Sequence, residues 1–120
     1  MDKIIIDDLR ARCIIGVYDE ERREKQDVVI NLVLFSDLAA AGRSDNIADA
    51  VDYRAIKKKV LALVEGSSYR LVEALAEAIA EACLGDPGVK QVQVRVDKPG
   101  ALRFARTVAV EITRPGTVRP

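Results

Sequence analysis

The cleanest alternation in the chain is VKQVQVRVD (89–97). Val92, Val94 and Val96 share one face and Gln91, Gln93 and Arg95 the other, the two-residue period of a half-buried strand. TVAVEIT (107–113) repeats the pattern with Val108, Val110 and Ile112, and KPGALRFAR separates the two, so they predict an antiparallel hairpin. Near the N-terminus, KIIIDDLRARCIIG (3–16) begins apolar and continues as a broken alternation, which predicts a bulged strand ending near Gly16. VYDEERREKQD (17–27) is too charged for a core and reads as a loop. VVINLVLFSDL (28–38) carries apolar and β-branched residues on both faces, so that strand should be covered on both sides. Residues 39–52, with Gly42 and a Ser44-Asp45 turn signal, form a connection.

The period then changes. In YRAIKKKVLALVEG (53–66), Ile56, Val60, Leu63 and Val64 fall at helical spacing with lysines opposite, Asp52 as N-cap and Gly66 past the end. SSYRLVEALAEAIAEACLGDPG (67–88) predicts a second helix capped by Ser67 or Ser68. Its stripe is Leu71, Leu75, Ile79 and Ala82-Cys83, and Gly85 with Pro87 stops it. The order β-β-α-α-β-β implies an α+β fold: a four-stranded antiparallel sheet with two helices on one face. The other face and the sheet edges then call for partners, which copies of the same chain would supply by closing a barrel. A homo-oligomer is therefore expected.

At 120 residues the chain fits one domain, with 115–120 as a loose tail. Formal charge balances to zero, which argues against nucleic acid or a membrane as partner, since both select basic patches. Acidic residues stand where a signal peptide would be basic, so a cytoplasmic location is expected. Cys13 and Cys83 lie in apolar contexts and read as buried thiols. The chain has no histidine, which excludes Ser-His-Asp and Cys-His chemistry and histidine metal sites. It also lacks the glycine-rich phosphate loops. No metal and no cofactor is expected. Acid–base work falls to Glu, Asp, Lys, Tyr or Cys.

A few positions fit plain scaffold poorly. Lys98 stands at the end of a strand directly before Pro99-Gly100, a tight turn with little backbone freedom. A lysine held there among valines can act as a base, although a lysine at a strand end is more commonly a solvated charge. Glu73 falls on the apolar side of the second helix, beside Val72 and Leu75. It reads as a solvated helix residue, as a first-turn dipole partner or cap, or as a partly buried carboxylate facing a ligand. Glu21 sits in the charged loop, and Tyr53 opens the first helix.

These segments together resemble the dihydroneopterin aldolase family of folate biosynthesis. The matching blocks are IIGVYDEERREKQDVVINLVLFSDL, SDNIADAVDY, SSYRLVEALAEAIA and VDKPGAL, in that order, across about residues 3–114. The resemblance implies the tunnelling fold, a tetrameric barrel ring that commonly stacks into an octamer, with sites at subunit interfaces and a small pterin as substrate. It implies that Glu73 anchors the pterin through paired N–H bonds, with the backbone at Val72 adding a contact. Val51 and Tyr53 would come from the neighbouring subunit. Val17 would contact the substrate, Glu21 would lie near the hydroxylated tail, and Lys98 near ring nitrogen N5 and the reacting hydroxyl. Lys98, Glu21 and Tyr53 are thereby the implied catalytic groups. Two features depart from the pattern. Glu20 stands where relatives often have Trp, and KQDVVINL and ALRFAR also resemble dihydroneopterin triphosphate 2′-epimerase. Many aldolases of the family epimerise as a side reaction.

Overall fold

The computed structural model describes residues 1–116. Its sheet has four antiparallel strands in sequence order: β1 (Asp2–Cys13), β2 (Gln26–Ser36), β3 (Gln91–Pro99) and β4 (Thr107–Arg114). Between β2 and β3 lie a short helix α1 (Ala39–Ser44), then α2 (Tyr53–Glu65) and α3 (Val72–Leu84). α3 packs on β3 and β4, and α2 packs on β1 and α3, so the helices cover one face of the sheet. The predicted hairpin of β3 and β4 is present, as is the order of the strands and long helices, and β1 pairs antiparallel with β2. The connection 39–52 holds more structure than expected, namely α1 and a 3-10 turn at Ile47–Asp49 capped by the Asn46 side chain.

The core follows strand parity. Val28, Ile30, Leu32 and Leu34 of β2 and Val92, Val94 and Val96 of β3 are fully buried under Ile56, Val60 and Val64 of α2 and Leu75 and Ile79 of α3. The expectation that β2 is covered on both sides needs correction. Its other row, Val29, Asn31, Val33 and Phe35, is only partly buried, because the helices lie on one side alone. Cys13 and Cys83 are free and buried, and burial pushes both thiols up, Cys83 to about 11.

Two boundaries move by several residues. β1 ends at Cys13 rather than near Gly16, and its register slips between Ile6 and Leu9, where Asp8 has a positive φ of 55°. The second long helix starts at Val72, with Leu71 as its extended N-cap residue; Ser67 and Ser68 do not cap it. Ser67 instead donates its hydroxyl to the Val64 carbonyl at the end of α2, so the serines belong to the turn between the helices. Leu71 consequently leaves the apolar stripe and is half exposed. Of the tail expected to be loose, residues 117–120 lie outside the described residues.

Leu75 is fully buried where α3 meets the sheet. Leu75→Ala should therefore lower unfolding free energy by about 2–5 kcal/mol, read as a shift in the urea midpoint at unchanged slope.

Candidate functional site

Lys98 continues the core row of Val92, Val94 and Val96 by two-residue parity, so its stem enters the helix side of the sheet rather than solvent. The residue is 8% exposed, which overturns the surface-charge reading. Directly after it the chain turns. Ala101 N–H donates to the Lys98 carbonyl, and Gly100 has a φ of +75°, the Pro-Gly pattern of a type II turn.

The ammonium meets Glu21. Lys98 Nζ donates to Glu21 Oε2 at 2.5 Å, joining positions 77 residues apart. The other carboxylate oxygen, Oε1, accepts the backbone N–H groups of Val17 and Tyr18, each at 3.1 Å. The charged loop is thus a turn folded around one carboxylate, with a 3-10 segment at Asp19–Arg22. Gly16 makes this approach feasible. Its φ is +139°, and a Cβ there would fall 2.4 Å from the Glu21 carboxyl carbon.

Further bonds hold the turn in place. Gln26 Nε2 donates to the Ile15 carbonyl at 2.7 Å and to the Glu21 carbonyl at 3.3 Å. Arg22 donates to the carbonyls of Gly16, Ser68 and Tyr69, and Gly16 N–H also donates to the Tyr69 carbonyl. The segment after Tyr69 runs straight into the first turn of α3, where Val72 is half buried and Glu73 is exposed. Glu73 therefore faces solvent in the single chain, not a partly buried pocket. Val17 is half exposed on the same turn as Glu21. Glu21, Lys98, Val17, Val72 and Glu73 accordingly share the end of the molecule where the Glu21 turn is tied to the loop before α3.

Tyr53 and Val51 lie elsewhere. Tyr53 is the first residue of the 13-residue α2, whose far end leads into the Ser68–Tyr69 loop, so about 1.5 Å per residue separates the two ends by roughly 20 Å. Tyr53, a residue 55% exposed, instead shares a groove with Ile4, Ile5, Ile6 and Lys57. Those isoleucines are at the opposite end of β1 from Cys13. The Val51 side chain is buried in the core, and its carbonyl accepts the Tyr53 N–H at 3.1 Å. One chain therefore carries two separate groups of predicted site residues.

Comparison with known proteins bears directly on this arrangement. The model of the dihydroneopterin aldolase family matches residues 4–113. The chain belongs to the dihydroneopterin aldolase family. A dihydroneopterin aldolase of Streptomyces coelicolor is 41% identical over 101 residues, covering 84% of this chain and 85% of that protein. A dihydroneopterin triphosphate 2′-epimerase of Pseudomonas aeruginosa is 38% identical, covering 93% of this chain and 91% of that one. The folic acid synthesis protein of Dictyostelium discoideum is 40% identical over 114 residues, but the chain spans only 17% of that protein's length. Among solved structures, the Escherichia coli dihydroneopterin aldolase in complex with neopterin superposes with a TM-score of 0.91 at 37% identity, covering 95% of this chain and 99% of that one. The aldolase of Burkholderia thailendensis bound to guanine gives 0.80 at 31% identity, covering 94% and 89%.

The sequence pointed to Glu21 and Lys98 but not to Gly16, Arg22 or Gln26 as the residues that hold them. Arg22 lies in a run in which every residue from 19 to 25 is charged, so no periodicity separates it from its solvated neighbours. The Glu21 carboxyl is held below its ordinary value, first by the Lys98 hydrogen bond and then by the Tyr18 and Val17 N–H groups. A depressed carboxylate stabilises the fold above its unfolded pKa, and that contribution is lost as pH falls through the folded value. Glu21→Gln should therefore be less stable than the parent at neutral pH, and the gap should close as pH drops below the ordinary glutamate range near 4.5. Paired thermal melts from pH 7 to about pH 3 check this; a gap constant across that span would mean that the charge contributes nothing.

Proposed function

We propose that this protein cleaves 7,8-dihydroneopterin by a retro-aldol reaction to 6-hydroxymethyl-7,8-dihydropterin and glycolaldehyde, as an aldehyde-lyase of folate biosynthesis. The observation that carries the reading is the contact between Lys98 and Glu21, in which a buried ammonium and a fixed carboxylate face each other at the edge of the core. A protein that only bound pterins would need an anchor such as Glu73 but not a proton-transfer pair. Membership of the family and the superposition on the neopterin-bound relative support the substrate class.

The chemistry suits residues of this kind. Breaking the C1′–C2′ bond turns C2′ into the carbonyl of glycolaldehyde and leaves an electron pair on C1′. In dihydroneopterin that pair has a sink already in place, the C6=N5 bond, once N5 takes a proton. Protonation of C1′ and loss of the N5 proton then give the hydroxymethyl product. The protein's task is to hold the substrate and move protons. Glu73 would accept two parallel N–H bonds from the pterin ring, with the Val72 backbone beside it. Lys98 would serve N5 and the reacting hydroxyl, through a water. Glu21, beside Val17, would orient the tail and help take the 2′-hydroxyl proton. In the free chain Lys98 and Glu21 occupy each other. Substrate that draws Lys98 toward N5 frees Oε2 for the hydroxyl, and this raises the basicity of a carboxylate that the ion pair otherwise lowers.

Tyr53 and Val51 enter this scheme from a second copy. Their distance from Lys98 within one chain supports a site assembled between subunits. The open edges β1 and β4, and the polar uncovered face with Arg10, Asn31, Arg95 and Asp97, support a ring of copies with a polar lumen. The resemblance makes that ring a tetramer, stacked or not into an octamer. A cytoplasmic location accords with two free thiols.

Purified protein incubated with 7,8-dihydroneopterin should release glycolaldehyde, and Lys98→Ala should slow this by roughly 100-fold or more with the fold intact. Unchanged turnover in the variant removes Lys98 from the mechanism. Conversion of the triphosphate to its 2′-epimer, with no cleavage of dihydroneopterin, assigns the chain to the epimerase branch that the Pseudomonas aeruginosa relative represents.

The shared site has its own test. Glu73→Ala and Tyr53→Phe should each be nearly inactive alone. Co-expressed, they should regain roughly a quarter of parental activity, because each site draws independently on two subunits. Absence of any recovery would place both residues in the same chain's site.

A further inference from the structure

The bonds of Arg22 do more than fold its own turn. Its Nη1 donates to the Gly16 carbonyl at 3.2 Å and to the Tyr69 carbonyl at 3.1 Å, and its Nη2 donates to the Ser68 carbonyl at 2.7 Å. The first acceptor belongs to the turn that wraps Glu21, and the other two belong to the loop that delivers Val72 and Glu73. The only other backbone hydrogen bond between these segments among the described residues is from Gly16 N–H to the Tyr69 carbonyl. Neither segment is part of the sheet, so strand pairing does not set their separation. A planar guanidinium whose donors diverge at fixed angles does set it.

We propose that Arg22 is a positioning residue that fixes the distance between the Glu21–Lys98 pair and the first turn of α3, and thereby the length of ligand the site accepts. The inference rests on the reading above, in which the ring is held at Glu73 and the tail at Glu21. A ligand that touches both ends depends on the spacing; a ligand that touches only the α3 end does not. Arg22 itself takes no part in the proton transfers. It acts through Glu21, whose alignment with the tail it preserves.

The test compares two ligands and two genetic backgrounds. Neopterin carries ring and tail, and guanine carries a ring edge without the tail. In Arg22→Ala, neopterin affinity should fall on the order of 10-fold or more, since misplacement by about 1 Å is costly where geometry matters. Guanine affinity should stay within about twofold, as for a contact left untouched. In a Glu21→Gln background the same Arg22→Ala change should cost neopterin less than about threefold, because residues that act as a unit are not additive. Arg22→Lys retains a charge but not the fork, so it should resemble the alanine variant; it also serves if alanine fails to fold. Equal losses for both ligands would reduce Arg22 to a general scaffold role and overturn the proposal. An undiminished loss in the Glu21→Gln background would overturn it as well. These are binding measurements, so they stand apart from the aldolase reading, which fails separately if the parent protein releases no glycolaldehyde.

Discussion

The two-residue period of β3 governs both halves of this molecule. With Val92, Val94 and Val96 turned to the helices, Arg95 and Asp97 must turn the other way, and Lys98 must return to the core side. A one-residue slip would put the lysine on the open face and the valines in water. Register is therefore enforced by the hydrophobic row, and the placement of the ammonium comes with it. The strand's last residues act as an aiming device: the core fixes the row, and the Pro99-Gly100 turn ends it before the lysine stem can fray outward.

A buried ammonium costs free energy unless it is paired, and Glu21 is what pairs it. The pairing is demanding, because the carboxylate comes from a loop made almost wholly of charged residues with no apolar weight of its own. Backbone geometry supplies the order that hydrophobic burial does not. Two N–H groups hold Oε1, Gly16 leaves room for the carboxyl, Gln26 ties the turn to the start of β2, and Arg22 ties it to the α2–α3 loop. The loop's rigidity is thus a hydrogen-bonding property, which is why composition alone marks it as flexible surface.

What the sequence made legible divides along the same line. Periodicity exposes whatever burial determines: the four strands, the two long helices, the valine row, the two buried thiols. It misplaced the start of α3, because Leu71 and the serines before it satisfy the helical pattern while the chain there is extended. It predicted cover on both faces of β2, because apolar residues on the open row look the same whether a helix or a second copy is meant to cover them. At the site, Glu21 and Lys98 emerged from short blocks of resemblance, with Pro99-Gly100 as the local signal. Arg22 and Gln26 did not emerge, since their partners are backbone carbonyls, and a carbonyl leaves no mark in an amino-acid string.

The separation of Tyr53 from Lys98 has a simple origin. α2 is a continuous helix with buried Ile56, Val60 and Val64 along one side, and a helix cannot be shortened without losing that row. Its two ends are held apart by the same packing that stabilises the fold. Any chemistry that needs residues from both ends must find the second set on another molecule. Tyr53 and the Ile4, Ile5 and Ile6 groove beside it leave contiguous apolar surface open in the single chain. That groove would be covered if the unpaired edge β1 met the edge β4 of another copy. The rigidity that splits the site in one chain would then give each copy a fixed half to offer the next.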